Sequence, residues 1–190
     1  MPAMEGRTVY FDSPGEANTD ETLRIAKERA DELGIKTVVV ATTVGGTATK
    51  SVEVFEGMRV IAVTHFTGMR GANFQELTDE NRKKFESKGG IVLTTTHAFM
   101  GIDAAMRKKF NMYLLGDVIA STLRIFGQGM KVVCEITLMA ADAGLVQTGE
   151  DIIAIAGTGR GADTAVVLKP VNTNNFFDLK VREILCKPHF

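Results

Sequence analysis

Thr42, Thr43, Gly45, Gly46 and Thr47 follow directly on the apolar run Val38-Val39-Val40-Ala41. Hydroxyls donate hydrogen bonds, and glycines let a backbone bend tightly and approach a ligand. A helix opening at this point adds unpaired N–H groups with partial positive charge. Together with Val44 these residues make a loop suited to an anion, above all a phosphate. A plain strand–helix turn uses a Gly-Gly pair for shape alone, and the motif by itself leans to that use, because glycine-rich turns are common.

A second glycine-rich loop, Gly157-Thr158-Gly159-Arg160-Gly161-Ala162-Asp163, lies between two apolar runs. It joins strands and opens no helix, so the dinucleotide-binding fingerprint does not apply. Arg160 has the shape to fork onto a phosphate or lie near an anionic ring, and equally to be a solvated loop side chain. Asp163 either accepts from a ligand hydroxyl or stabilises the hairpin, and the second use is preferred. His65, His97 and His189 form no i, i+4 pair and have no cluster of carboxylates or cysteines, so metal ligation is not expected. His97 is a candidate proton donor, set against a hydrogen-bonded structural histidine. No nucleophile elbow or Ser–His–Asp constellation is readable, and no catalytic residue is assigned. Cys134 and Cys186 make no CxxC and read as buried, reduced thiols.

These residues need elements to hold them. Residues 8–11 read as a first strand, ended by Asp12-Ser13-Pro14-Gly15. Asn18, with Glu21 three places on, reads as the capping box of a helix whose apolar face is Leu23, Ala26, Ala30 and Leu33, stopped by Gly34. The β-branched run at 37–41 is the second strand, and together the three elements make a βαβ unit. A helix over 48–55 follows, then a strand over 59–64. Next come a loop over 65–71, a polar helix capped by Thr78, and a strand over 91–95. Three successive strands thus end in threonines, at Thr42, Thr64 and Thr95. In a parallel sheet those ends share one edge, where open α/β folds bind ligands. Residues 97–145 read as mainly helical, including helices over 117–126 and 130–145. A strand over 151–156, an antiparallel strand over 164–169 and a last strand over 181–186 complete an α/β chain.

The 190 residues, 45% of them hydrophobic, suffice for one domain with a full core. A formal net charge of -1 and a pI of about 6.3 lack the basic excess of a nucleic-acid binder. The N-terminal residues 1–7 carry no apolar signal core, and other apolar stretches are too short to span a membrane. The expectation is a cytosolic globular protein.

The strand and loop over 37–47, the run Val60-Ile61-Ala62-Val63-Thr64, and Gly149-Glu150-Asp151 leading to Thr158 resemble the C-terminal domain of pyruvate kinase. A closer resemblance is to the small stand-alone proteins with a pyruvate kinase α/β-domain-like fold, found chiefly in archaea. It rests on Asn18-Thr19-Asp20-Glu21-Thr22-Leu23, on residues 135–144, on Arg160-Gly161-Ala162-Asp163-Thr164-Ala165-Val166-Val167, and on Asn174-Asn175-Phe176-Phe177-Asp178. The resemblance implies a three-layer α/β/α fold around a mostly parallel sheet with an antiparallel edge, and a site for flavin mononucleotide (FMN). It makes Thr42, Thr43, Val44, Gly45, Gly46 and Thr47 the phosphate loop, flanked by Asn18, Thr64, His65, Thr96, His97 and Phe99. Gly157, Thr158, Gly159, Arg160 and Gly161 then form the closing loop. Phe66, Phe99 and Phe11 are candidates for the flavin ring pocket, although such residues are more often simple core. Pyruvate kinase activity is not expected, because its phosphoryl-transfer residues belong to a (β/α)8 barrel of typically ~250 residues. Two further readings accompany the flavoprotein. One is a non-catalytic sensor of a phosphorylated metabolite. The other is a homo-oligomeric interaction protein using residues 174–177.

Overall fold

The β-branched run after Lys36 does what its composition requires. It forms strand β2 (Thr37–Ala41) and sends alternate side chains to opposite faces of a sheet. Val38 and Val40 enter one apolar core and Val39 another. In a computed structural model that describes residues 5–189, the same alternation recurs in β5 (Ile152–Ala156). There Ile153 and Ile155 face one side, Ile152, Ala154 and Ala156 the other.

Among the described residues, seven strands pair in the order β1-β7-β6-β5-β2-β3-β4. The remaining strands are β1 (Val9–Phe11), β3 (Arg59–Val63), β4 (Ile91–Leu93), β6 (Thr164–Lys169) and β7 (Lys180–Pro188). Every pairing is parallel except those of β6, which runs antiparallel to β5 and to β7 on one side of the sheet. The chain is thus α/β, with the mostly parallel sheet expected. Helices α1 (Thr19–Leu33), α2 (Gly46–Val54) and α3 (Asp79–Glu86) supply the core on one face. On the other, α6 (Gln128–Asp142) lies on the sheet and α5 (Leu115–Arg124) packs on α6. Helix α4 (Gly101–Phe110) precedes α5.

Three expectations need correction. Strands β1 and β2 are parallel, but β5, β6 and β7 lie between them, so the β1–α1–β2 unit spans the sheet instead of joining neighbours. Asn18 does not cap α1 through its side chain. Its backbone is already helical, at the end of a 3-10 turn over Glu16–Asn18, and its Nδ2 donates to the Ser13 carbonyl at 2.7 Å. Leu33 stands exposed on α1 beside the Gly34 stop, where the sheet no longer covers the helix.

The stretch read as a helix over 130–145 is helical as far as Asp142. Thr137 meets the demand of its hydroxyl by donating to the Val133 carbonyl at 2.8 Å. Helix α3 begins as expected: Thr78 Oγ1 accepts from the Asn81 N–H, with Asp79 and Glu80 in the first turn. No helix among the described residues is long and apolar enough to cross a membrane.

Candidate functional site

Strands β2, β3 and β4 are adjacent and parallel, and β5 runs parallel to β2 on its other side. All four therefore end on one edge. The threonine–glycine loop, His65, the segment after β4 and the closing loop emerge together there, as open α/β sheets arrange their ligand crevices. Between them lies a cleft with a cavity volume of about 320 Å³. Its wall takes Thr42, Thr43, Val44, Gly46 and Thr47 from the first loop, Thr64 and His65 from the end of β3, and His97 after β4. Gly157, Gly159, Arg160 and Gly161 come from the closing loop.

Gly45 and Gly46 divide the two uses the sequence left open. Gly45 has φ 109°, and a Cβ there would lie 2.3 Å from the Asn81 Cβ and 2.9 Å from Leu77 Cδ1. It is a packing glycine, needed because α3 closes on the loop. Asn81 Nδ2 holds that contact by donating to the Val44 carbonyl at 2.8 Å. Gly46 is different. A Cβ there would meet nothing within 4 Å, and the residue is exposed at the first turn of α2 on the cleft wall. Beside it Thr42 is 94% covered (6% exposed), and its hydroxyl has no partner among the described residues. A buried, unpaired hydroxyl costs about 1–3 kcal/mol, and this one belongs to a residue of the cleft wall.

The closing loop is held from behind. Asp163 is fully buried and accepts from the Gly15 N–H at 2.9 Å, the Thr158 N–H at 3.0 Å and the Thr164 hydroxyl at 2.7 Å. Ala162 N–H donates to Thr19 Oγ1 at 3.0 Å, which ties the loop to the start of α1. Asp163 is therefore the hairpin's brace, as preferred. Arg160 stands exposed at the cleft mouth.

Asn18, Gly45, Thr96, Phe99 and Thr158 lie outside the cleft wall. Thr96 is exposed. Phe99 is buried in the core against Phe176, with ring centroids 5.5 Å apart. The Thr158 hydroxyl is buried without a partner among the described residues. Phe11 packs into the core on the β1 side, and Phe66 meets the His97 ring edge-on at 5.5 Å.

Sequence reasoning missed the charged floor. Lys131 and Glu135 are an i, i+4 pair on α6, a spacing typical of a solvated helix surface, yet they are 4% and 2% exposed and both line the cleft. Glu135 Oε1 also accepts from the Phe99 N–H at 3.1 Å, and His97 Nδ1 lies 3.8 Å from Glu135 Oε2. The available signal was their company. Met130, Val133, Cys134, Ile136 and Leu138 surround the pair, so nearly the whole circumference of the helix is buried. Next to this group His65 Nδ1 pairs with Glu76 Oε2 at 2.6 Å, and the His65 and His97 rings stand 5.6 Å apart. Burial pushes the His97 pKa below its ordinary value, with Glu135 opposing. Burial likewise lowers that of Lys131 against the pull of Glu135. Arg70 and Arg124 add positive charge to the wall.

Residues 20–168 match the family described as the pyruvate kinase alpha/beta domain. This chain belongs to that family. The matched range includes the threonine–glycine loop, α6 and the closing loop, and leaves out β1 and β7. Among solved structures, a Cryptosporidium parvum pyruvate kinase in complex with ADP is 14% identical over 80% of this chain and 24% of that one, with a TM-score of 0.42. A second Cryptosporidium parvum pyruvate kinase structure is also 14% identical, over 80% of this chain and 23% of that one, with a TM-score of 0.42. The chain thus spans less than a quarter of the length of these pyruvate kinases.

Proposed function

We propose that this pyruvate kinase alpha/beta domain is a receptor for a phosphorylated small molecule, with FMN the first candidate. The observation that carries the reading is the unpaired Thr42 hydroxyl beside the open face of Gly46, at the N-terminus of α2. Backbone N–H groups, hydroxyls and the helix dipole there favour a phosphate, and the exposed Arg160 at the mouth adds a counter-charge.

A flavin also needs a polar track for its ribityl chain and an apolar slot for its ring. Thr43 and Thr47 offer hydroxyl-bearing side chains on the wall, and Met69, Met100, Val132 and Ile136 give it an apolar part near the His65 and His97 rings. Phe11 and Phe99 are committed to the core and take no part. These residues suit the group. A bound flavin would supply electron exchange at its ring, while the protein binds, orients and screens it from water. The described residues form one open seven-stranded sheet and no (β/α)8 barrel, so pyruvate kinase activity is not proposed for them.

A metabolite sensor is the second reading, favoured by the cavity volume of about 320 Å³, near the lower end for ligand sites. The two separate by experiment. The purified protein, untreated, is expected to absorb in the flavin band or to take up added FMN, and the released ligand to be identified by mass. Stabilisation by sugar phosphates alone, in a thermal-shift series that includes FMN, would select the sensor instead.

A further inference from the structure

The cleft has charged groups that a phosphate receptor does not need. Lys131 is held by its ion pair to Glu135 and lies over the face of the Phe99 ring, 5.7 Å from the centroid. An ammonium has three N–H donors, and among the described residues only the Glu135 carboxylate accepts from this one. A cation so nearly removed from water is costly unless its donors are used. Glu135 is fixed in turn by the Phe99 N–H, so the ammonium is aimed instead of free to swing. His97 stands beside the pair on the same wall, its side chain 10% exposed.

We infer that Lys131, positioned by Glu135 beside His97, forms a second binding pole that takes a carboxylate, enolate or ring-carbonyl oxygen at the end of the ligand away from its phosphate. The inference rests on the phosphate-receptor reading and narrows it. The ligand is a phosphate ester that also carries a strongly polarised oxygen. The threonine–glycine loop grips the ester, and Lys131 donates to the oxygen with an N–H that Glu135 does not occupy. Thr64, whose hydroxyl is already engaged with Thr94 Oγ1 at 2.7 Å and the His65 carbonyl at 2.9 Å, leaves that oxygen to Lys131.

The test is calorimetric titration of the full chain with three probes: glycerol 3-phosphate, which has the ester and hydroxyls only; 3-phosphoglycerate, which adds a carboxylate; and FMN, which adds ring carbonyls. At least one of the latter two is expected to bind roughly ten- to a hundred-fold more tightly than glycerol 3-phosphate, the range of a charge-assisted hydrogen bond. Which one does so tells the carboxylate from the ring carbonyl. Lys131→Met leaves Glu135 buried without its cation and risks misfolding. The double variant Lys131→Met/Glu135→Gln is therefore the decisive protein, since glutamine still accepts from the Phe99 N–H. Checked first by its melting curve, it is expected to lose roughly tenfold or more of that preference, with only the part that the apolar wall gives FMN remaining. A preference undiminished in the double variant overturns the inference. So does equal binding of all probes by the unaltered protein, while sparing the phosphate reading. Binding of none overturns both.

Discussion

Thr42 and Gly46 make opposite demands on stability and binding, which lets substitution separate them from ordinary turn residues. Thr42→Val replaces a buried, unpaired hydroxyl by a methyl of nearly the same shape. The ligand-free protein is expected to gain up to about 1 kcal/mol in urea denaturation, while affinity for phosphate esters falls about tenfold. A structural threonine would lose stability instead. Gly46→Val projects into open space and is expected to leave the melting temperature nearly unchanged while blocking the cleft. Gly45→Ala does the reverse. Its Cβ must enter the Asn81 and Leu77 side chains from a positive φ, at a cost of about 2–4 kcal/mol measured by urea denaturation. His97 gives a pH signature at the same scale. Burial holds its native pKa below 6.5, so as pH falls through that value the unfolded chain takes up the proton first. Stability is lost between pH 6.5 and the lower native pKa, and below both no further loss comes from this group. The urea midpoint should therefore drop between pH 7 and 5.5 by more in the unaltered protein than in His97→Gln.

Elements were legible in proportion to how local their causes are. The run at β2, the turn after it and the start of α2 are written in consecutive residues, and Thr78 with Asp79 and Glu80 announces α3 as openly. Thr78→Ala should cost about 1 kcal/mol of stability, read by thermal denaturation, because it removes the acceptor of the Asn81 N–H. The start of α1 was less legible. Asn18 has the residue type of a cap, but the preceding 3-10 turn had already placed its backbone in the helix, and Thr19 took over by bonding to Glu16 and receiving Ala162. Lys131 and Glu135 were missed for a related reason. Their spacing is that of a surface pair, and only the packing of α5 and of the sheet against α6 makes it a buried one.

At the scale of the molecule, strand order was the least legible feature. Nothing in residues 8–41 says that three strands from the end of the chain will lie between β1 and β2. Yet the direction of β2, β3, β4 and β5 follows from their crossovers, and direction alone is enough to bring their ends to one edge. That is why the meeting of distant segments at one cleft could be anticipated while the strand order around it could not. Thr42, Gly46, Thr64, His65, His97 and the closing loop meet at one cleft, and Thr96 and Phe99, one and two residues from His97, do not line it. The most direct measurement is an equilibrium titration of FMN, followed by flavin absorbance, into the unaltered protein and into Gly46→Val. The account predicts saturable binding to the first and its loss in a variant that melts at nearly the same temperature. Absence of binding to the unaltered protein, or undiminished binding to Gly46→Val, would contradict it.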